Sequence, residues 1–187
     1  MTILYGGSFN PPTIAHYKIA SYLLDKFPDA KLEFLPANNF YEKNNLKDYH
    51  YRWQMLELLC ARLGKRASIN DFEIRLNKYY GTWYTIKHFP EAYFVIGADN
   101  LLTLHTWINY PAVVRKTRFL VIPRDQIDIE AVFQENSILR ENRSNFTILA
   151  DFPKIDASSS NYRRTKDEKY LLPEVAEFIR KNKLYKE

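Results

Sequence analysis

Thr2-Ile3-Leu4-Tyr5-Gly6-Gly7-Ser8-Phe9-Asn10-Pro11-Pro12-Thr13-Ile14-Ala15-His16 is the stretch whose reading decides the fold. Thr2 to Tyr5 reads as a short buried strand. Gly6 and Gly7 turn the chain. From Ile14 an apolar periodicity follows, through Ile19, Ala20, Tyr22, Leu23, Leu24 and Phe27, and predicts a helix. Strand, glycine turn and helix start together make a phosphate site in α/β proteins. The first N–H groups of the helix have no intrahelical partner, and the helix dipole favours an anion beside them. Glycine lacks a Cβ, so the turn is tight and a phosphate can approach the backbone.

Two common phosphate loops are excluded: no Lys-Ser/Thr follows a second glycine, and the GxGxxG spacing is missing. Thr13 and His16 stand three apart at the helix start and share a face. A hydroxyl and an imidazole placed there can hold two phosphoryl oxygens. The plainer alternative is a helix-capping Thr and a surface His. The preceding strand, the Pro-Pro and the Thr/His pair favour the anion site.

Working outward, strand-like and helix-like runs alternate. Leu32 to Pro36 reads as a strand, and Tyr49 to Leu63 as a helix with Trp53, Leu56, Leu59, Cys60 and Leu63 near one face. Residues 67–74 are mixed and read as extended. Tyr93 to Ile96, Phe119 to Ile122 and Phe146 to Leu149 are continuous apolar runs, as expected of strands buried on both faces. Residues 124–145 read as a peripheral helix and loop. Pro173 and Glu174 open a last helix that runs to about Asn182. The pattern predicts an α/β fold with three layers: a Rossmann-like, doubly wound, mostly parallel sheet with helices on both faces, in a single domain over residues 1–187. Ligands of such sheets bind outside the carboxyl ends of the strands, which is where each candidate motif lies.

Composition narrows the classes. A chain of 187 residues with 46% hydrophobic residues is not disordered. The one cysteine, Cys60, excludes an intramolecular disulfide and a Cys-rich zinc site, and its leucine neighbours predict a buried small hydrophobe. No apolar run approaches the ~20 residues that span a bilayer, and no signal peptide is recognised, so a cytoplasmic, non-membrane protein is expected. The net charge of +5 is spread rather than striped: residues 1–50 carry five basic and five acidic side chains, residues 151–187 nine and seven. That distribution argues against nucleic acid and suits a pocket for small polyanions.

Three further segments carry chemistry. Ser158-Ser159-Ser160-Asn161-Tyr162-Arg163 reads as a serine-capped helix start with an arginine one turn on, whose planar fork suits the same anion. Asp99, in Gly97-Ala98-Asp99-Asn100, can accept hydrogen bonds from a ligand at a strand end or cap a helix; both stay open. Trp107 is either a stacking surface for a ring or a core residue.

With these motifs the chain resembles the nucleotidyltransferase superfamily with the (H/T)xGH signature. Within it the chain is most similar to bacterial nicotinate-mononucleotide adenylyltransferases, whose signature reads GGxF(D/N)PxHxGH. Thr13 stands at the first His of that signature and Ala15 at its Gly. The resemblance implies ATP-binding roles for Gly6, Gly7, Ser8, Phe9 and Asp99. Ser158 to Arg163 is similar to the family's SSTxIR, which implies Ser158 and Ser159 near the nucleotide and Arg163 on its outer phosphates. Trp107 matches a tryptophan that stacks on the pyridine ring. Gly81-Thr82-Trp83-Tyr84-Thr85 is similar to (S/T)YT, which implies that backbone N–H groups around Tyr84 and Thr85 hold the nicotinate carboxylate. Phe40-Tyr41-Glu42-Lys43 stands at a loop reading PPHK, with Lys43 at its cationic position, and Arg52 matches a family arginine read as structural.

The reaction so implied is attack by the mononucleotide phosphate on the α-phosphorus of ATP. A phosphate monoester has its second pKa at about 6, so it is already largely dianionic at neutral pH. No base is required; two anions must be held in line. The expected roles are His16 on the α-phosphate oxygen, Thr13 and the Gly6–Ser8 backbone on phosphate orientation, and Arg163 with ATP-borne Mg²⁺ on the departing pyrophosphate. The expected partners are ATP and a pyridine mononucleotide, with no nucleic acid, no membrane and no metal ligands of the chain's own. The alternatives are a pantetheine-phosphate adenylyltransferase or a cytidylyltransferase of the same superfamily, or a nucleotide-binding protein without turnover. The main reading requires the glycine-led and serine-led bends to meet at one edge.

Overall fold

Ile3 and Tyr5 enter one apolar core and Leu4, between them, enters another. That alternation puts β1 (Thr2–Gly7) in the middle of a sheet covered on both faces. The computed structural model describes residues 1–41, 45–124 and 126–186. In it β2 (Lys31–Pro36), β3 (Ala67–Ile69), β4 (Tyr93–Gly97), β5 (Arg118–Ile122) and β6 (Phe146–Ile148) join β1 in one parallel sheet, in the order β3-β2-β1-β4-β5-β6. The chain runs outward from β1 to β3, returns to β4 beside β1, and then runs outward the other way. The crevice at the carboxyl ends of β1 and β4 is therefore the topological switch point of a doubly wound Rossmann-like fold.

The first core joins Ile3, Tyr5, Leu32 and Phe34 to α1 (Ile14–Lys26), α2 (Tyr49–Leu63) and α8 (Pro173–Lys181). The second joins Leu4, Phe94, Ile96 and Phe119 to α3 (Thr82–Ile86), α4 (Ala112–Lys116), α5 (Ile129–Glu135) and α6 (Ser137–Glu141) through Ile86, Val113, Phe133 and Leu139. Last, α7 (Ser159–Thr165) buries Tyr162 in the first core.

Three local expectations are corrected. Residues 129–141 hold two consecutive helices rather than one helix and a loop. Asp128 and Asn136 are N-caps that accept from the Ala131 and Leu139 amides. The extended segment from Ala67 stops at Ile69, and turns follow, beginning where Asn70 Oδ1 accepts from the Phe72 amide. The buried face of α2 is Arg52, Met55, Leu56 and Leu59, while Trp53 is half-exposed and donates to Glu57 at 2.9 Å. A periodicity count places any arginine outside. Arg52 is fully buried because its guanidinium donates to the Lys47 carbonyl (2.8 Å), the Ser8 carbonyl (2.9 Å) and Asn39 Oδ1 (3.2 Å). Burial brings its pKa down to about 10, still far above neutrality. Cys60 is half-buried and its thiol is pushed up to about 12, also by burial.

Gly6 has a structural duty beyond the turn. A Cβ built on it would lie 2.6 Å from Cζ of Phe94 on the neighbouring strand β4. Gly6→Ala is expected to destabilise the fold by roughly 1–3 kcal/mol through overpacking, read as a lower urea midpoint at unchanged slope. An unchanged midpoint would show that Phe94 gives way freely.

Candidate active site

A cavity of about 380 Å³ opens at the carboxyl ends of β1 and β4. Ten of the sequence-predicted residues line it: Gly6, Gly7, Ser8, Phe9, His16, Asp99, Trp107, Ser158, Ser159 and Arg163. Thr13, Tyr84 and Thr85 do not. Lys43 lies outside the described residues.

The first loop is built around one imidazole. Thr13 is the N-cap of α1 and is fully buried. Its backbone N–H donates to Nδ1 of His16 at 2.8 Å, and its hydroxyl lies 2.9 Å from the same nitrogen. A backbone amide has only a proton to give, so Nδ1 is an acceptor. In the neutral ring the proton therefore sits on Nε2, on the far edge from Thr13. The rings of Phe9 (5.1 Å between centroids) and Tyr5 (5.9 Å) wall the imidazole on other sides. Thr13 was expected at the phosphate itself. It stands behind His16 instead, because an N-cap side chain turns back toward the third helical residue.

Arg163 reaches the same cavity from the other end of the chain. Its Nη1 donates to the Asn10 carbonyl at 2.6 Å and its Nη2 to Ser160 Oγ at 3.2 Å. Ser159 Oγ donates to the Pro11 carbonyl at 2.8 Å, and Ser158 caps α7 by accepting from the Asn161 amide at 3.1 Å. The serine-led bend is thus stitched onto the glycine-led loop. Asn10 is the knot: its Oδ1 also accepts from Tyr185 Oη (2.7 Å) and the Lys47 amide (3.2 Å), while its Nδ2 donates to the Asn45 carbonyl (2.9 Å). Tyr185 is buried, and burial pushes its phenol pKa up.

On the β4 side, Asp99 Oδ1 lies 3.7 Å from Nε of Arg124, and both line the cavity. Trp107 is half-buried, packed against the second core with a face left on the cavity. The side chains of Tyr84 and Thr85 are turned elsewhere; the carboxylate contact expected of this segment is through backbone N–H groups. Tyr84 stacks on Tyr80 (4.6 Å) with Lys87 over its ring, and the Thr85 hydroxyl donates to Glu73 Oε1 at 2.8 Å. A five-residue helix shows successive side chains to different sides, and the cavity receives Thr82 instead.

Sequence reasoning passed over Asn10, Glu73, Tyr79, Arg124 and Tyr185. Arg124 had a signal, since it follows the end of β5 and the strand-end rule covers it. The others have none that a single sequence displays. Among the described residues no group of three or more His, Cys, Asp or Glu side chains is placed to hold a metal ion, and no helix is long and apolar enough to cross a membrane.

This strand order, with two phosphate-type bends meeting at the switch point, defines a nucleotide-handling α/β protein. The cytidylyltransferase-like family model matches residues 4–165, and the chain belongs to that family. Among its relatives, the "Probable nicotinate-nucleotide adenylyltransferase" of Acholeplasma laidlawii is 30% identical over 194 residues, covering 100% of this chain and 98% of that protein. The Clostridium botulinum (strain Okra / Type B1) protein of the same name is 32% identical over 198 residues, with 98% of each covered. The nicotinic acid mononucleotide adenylyltransferase of Plasmodium falciparum, solved with NaAD, shares the fold at a TM-score of 0.81 and 21% identity, over 98% of this chain and 96% of that one.

Tyr185→Phe removes one hydroxyl and leaves a buried amide oxygen with one partner fewer. It is expected to lower unfolding free energy by about 1–2 kcal/mol, measured by chemical denaturation. An unchanged value would mean that the Asn10 knot holds without the carboxyl-terminal tail.

Proposed function

We infer that this chain joins ATP to nicotinate mononucleotide, giving nicotinate adenine dinucleotide and pyrophosphate. The observation that carries the inference is the convergence of His16 and Arg163, 147 residues apart in sequence, on one cavity of a cytidylyltransferase-like fold. The full-length likeness to proteins named for this reaction supports the choice of substrates.

The step is an in-line displacement. A phosphate oxygen of the mononucleotide forms a bond to the α-phosphorus of ATP, and the bond from that phosphorus to the pyrophosphate oxygen breaks. The nucleophile arrives deprotonated, so the protein positions and neutralises. His16 donates from Nε2 to an α-phosphate oxygen, where charge grows in the transition state. Thr13 is a positioning residue: its N–H fixes which imidazole edge faces the substrate. The glycine loop from Gly6 to Ser8, walled by Phe9, carries the phosphates. Ser158, Ser159 and Arg163 border the leaving group, and the guanidinium, anchored on Asn10, offers its remaining donors to it. Mg²⁺ enters with ATP as part of that substrate and screens the outer phosphates. Asp99 accepts from the nucleoside, and Trp107 presents its indole to the pyridine ring. Turnover of these water-soluble nucleotides is proposed for the cytoplasm.

Pyrophosphate release from ATP is expected with nicotinate mononucleotide and not with phosphopantetheine. Release with phosphopantetheine alone would replace the substrate assignment, and release with neither would remove the enzymatic one. His16→Ala is expected to lower kcat by roughly 10²–10³ with the fold intact, as for loss of one preorganised donor; a near-normal kcat would take His16 out of the mechanism. Trp107→Ala is expected to weaken mononucleotide binding by about 1 kcal/mol or more and ATP binding less, read by titrating each ligand separately. Equal effects would make Trp107 a scaffold residue.

A further inference from the structure

A carboxyl group is out of place in a pocket for phosphates, yet two line this one, Asp99 and Glu73. Asp99 has Arg124 beside it at 3.7 Å. Glu73 has no such partner among the described residues. The basic lining residues, His16, Arg124 and Arg163, come from α1, from the segment after β5 and from α7, whereas Glu73 follows β3, the edge strand of the sheet. The cations next to it in sequence are engaged elsewhere: Arg75 with Asp71, and Lys78 over the Tyr80 ring. Its neighbours in the lining are Tyr41, Tyr79 and Thr82, and Trp107 lines the same cavity. Glu73 thus stands beside tyrosines and away from the cations, in surroundings that suit a ring better than a phosphate.

The local geometry also says which oxygen acts. The Thr85 hydroxyl donates to Glu73 Oε1 at 2.8 Å, so Oε1 is an acceptor. In the neutral acid with that bond kept, the proton is on Oε2, which is then a donor; in the carboxylate both oxygens accept. We propose that Glu73 reads the substituent on the pyridine ring, donating from its neutral carboxyl to a ring carboxylate and, once ionised, accepting from a ring carboxamide. This rests on the adenylyltransferase reading above and deepens it, making the choice between acid and amide mononucleotides depend on pH.

Burial holds the Glu73 carboxyl up to about 7, so both forms are populated around neutrality. The groups facing it do not titrate there. Thr82 and Thr85 of α3 carry no charge, and burial raises the phenols of Tyr41, after β2, and Tyr79, the latter to about 12. The sign follows. Below about 7 the neutral acid favours a ring carboxylate; above it, the ionised group repels that carboxylate and favours the amide. The mononucleotide phosphate also titrates in this range, but it and His16 act on the part that the two mononucleotides share. They cancel in the ratio.

The test is that ratio. For the full chain, kcat/KM is measured for nicotinate mononucleotide and for nicotinamide mononucleotide at fixed ATP, from pH 6 to pH 8.5. The acid-to-amide ratio is expected to fall by at least about tenfold across this range, through a midpoint set by one group. Glu73→Gln keeps an acceptor for Thr85 and a permanent donor. It should hold the ratio flat with pH, at the acid-preferring level. A flat ratio in the unsubstituted protein overturns the proposal, and so does a slope that survives in Glu73→Gln. Absence of turnover with both mononucleotides overturns the adenylyltransferase reading instead. The same ratio is then taken from calorimetric Kd values, and a flat profile or no binding overturns the role of Glu73.

Discussion

The N–H of Thr13 donating to Nδ1 of His16 is the interaction on which the rest of the site depends. It is a local bond, closed within the first turn of α1, and it chooses the imidazole tautomer. A ring free to change tautomer would at times offer the α-phosphate a lone pair on Nε2, and a lone pair repels an anion. The bond is protected by burial of Thr13 and by the aromatic walls of Tyr5 and Phe9, so the ring loses little further freedom when a nucleotide arrives. The substitution of Thr for the His of the bacterial signature is tolerable on this account, because the tautomer is set by a backbone group that any residue supplies.

The second constraint is distance along the chain. His16 and Arg163 must act on one triphosphate from opposite ends of the fold, and the topology alone brings them only to the same edge. The finer alignment comes from polar stitching: Arg163 and Ser159 bond the carbonyls of Asn10 and Pro11, and Tyr185 bonds the Asn10 side chain. Arg52, buried under the same loop, bonds the Ser8 carbonyl. The phosphate loop is thus supported from below by a cation whose donors are satisfied by protein groups, and the site's positive charge is left to Arg124 and Arg163, with the Nε2–H of His16 as a neutral donor.

Much of the fold is legible in the sequence for a simple reason. Strands buried on both faces must be continuously apolar, and Tyr93 to Ile96 and Phe119 to Ile122 have no other comfortable state. The candidate site is legible where a motif is a backbone shape: the glycine turn, the serine cap and the aspartate after β4 all line the cavity. Legibility fails where direction decides. Thr13 and His16 do share a helix face, but an N-cap side chain points into its own helix rather than at a ligand. The side chains of Tyr84 and Thr85, in the short helix α3, stack on Tyr80 and bond Glu73 rather than line the cavity, and a contact through backbone N–H groups leaves no side-chain pattern to read. Glu73 itself is one acid among 22 acidic residues, and only the fold shows that it faces a cavity without a cation beside it. The bond from Tyr185 to Asn10 spans 175 positions, far beyond any local pattern.

The most direct measurement of the central claim is the protonation pattern of one ring. In ¹⁵N-labelled protein above the imidazole pKa, the His16 resonances should show an unprotonated, hydrogen-bonded Nδ1 and a protonated Nε2. The Nε2 signal alone should move when ATP is added. A proton found on Nδ1, or an Nε2 signal indifferent to ATP, would contradict the account.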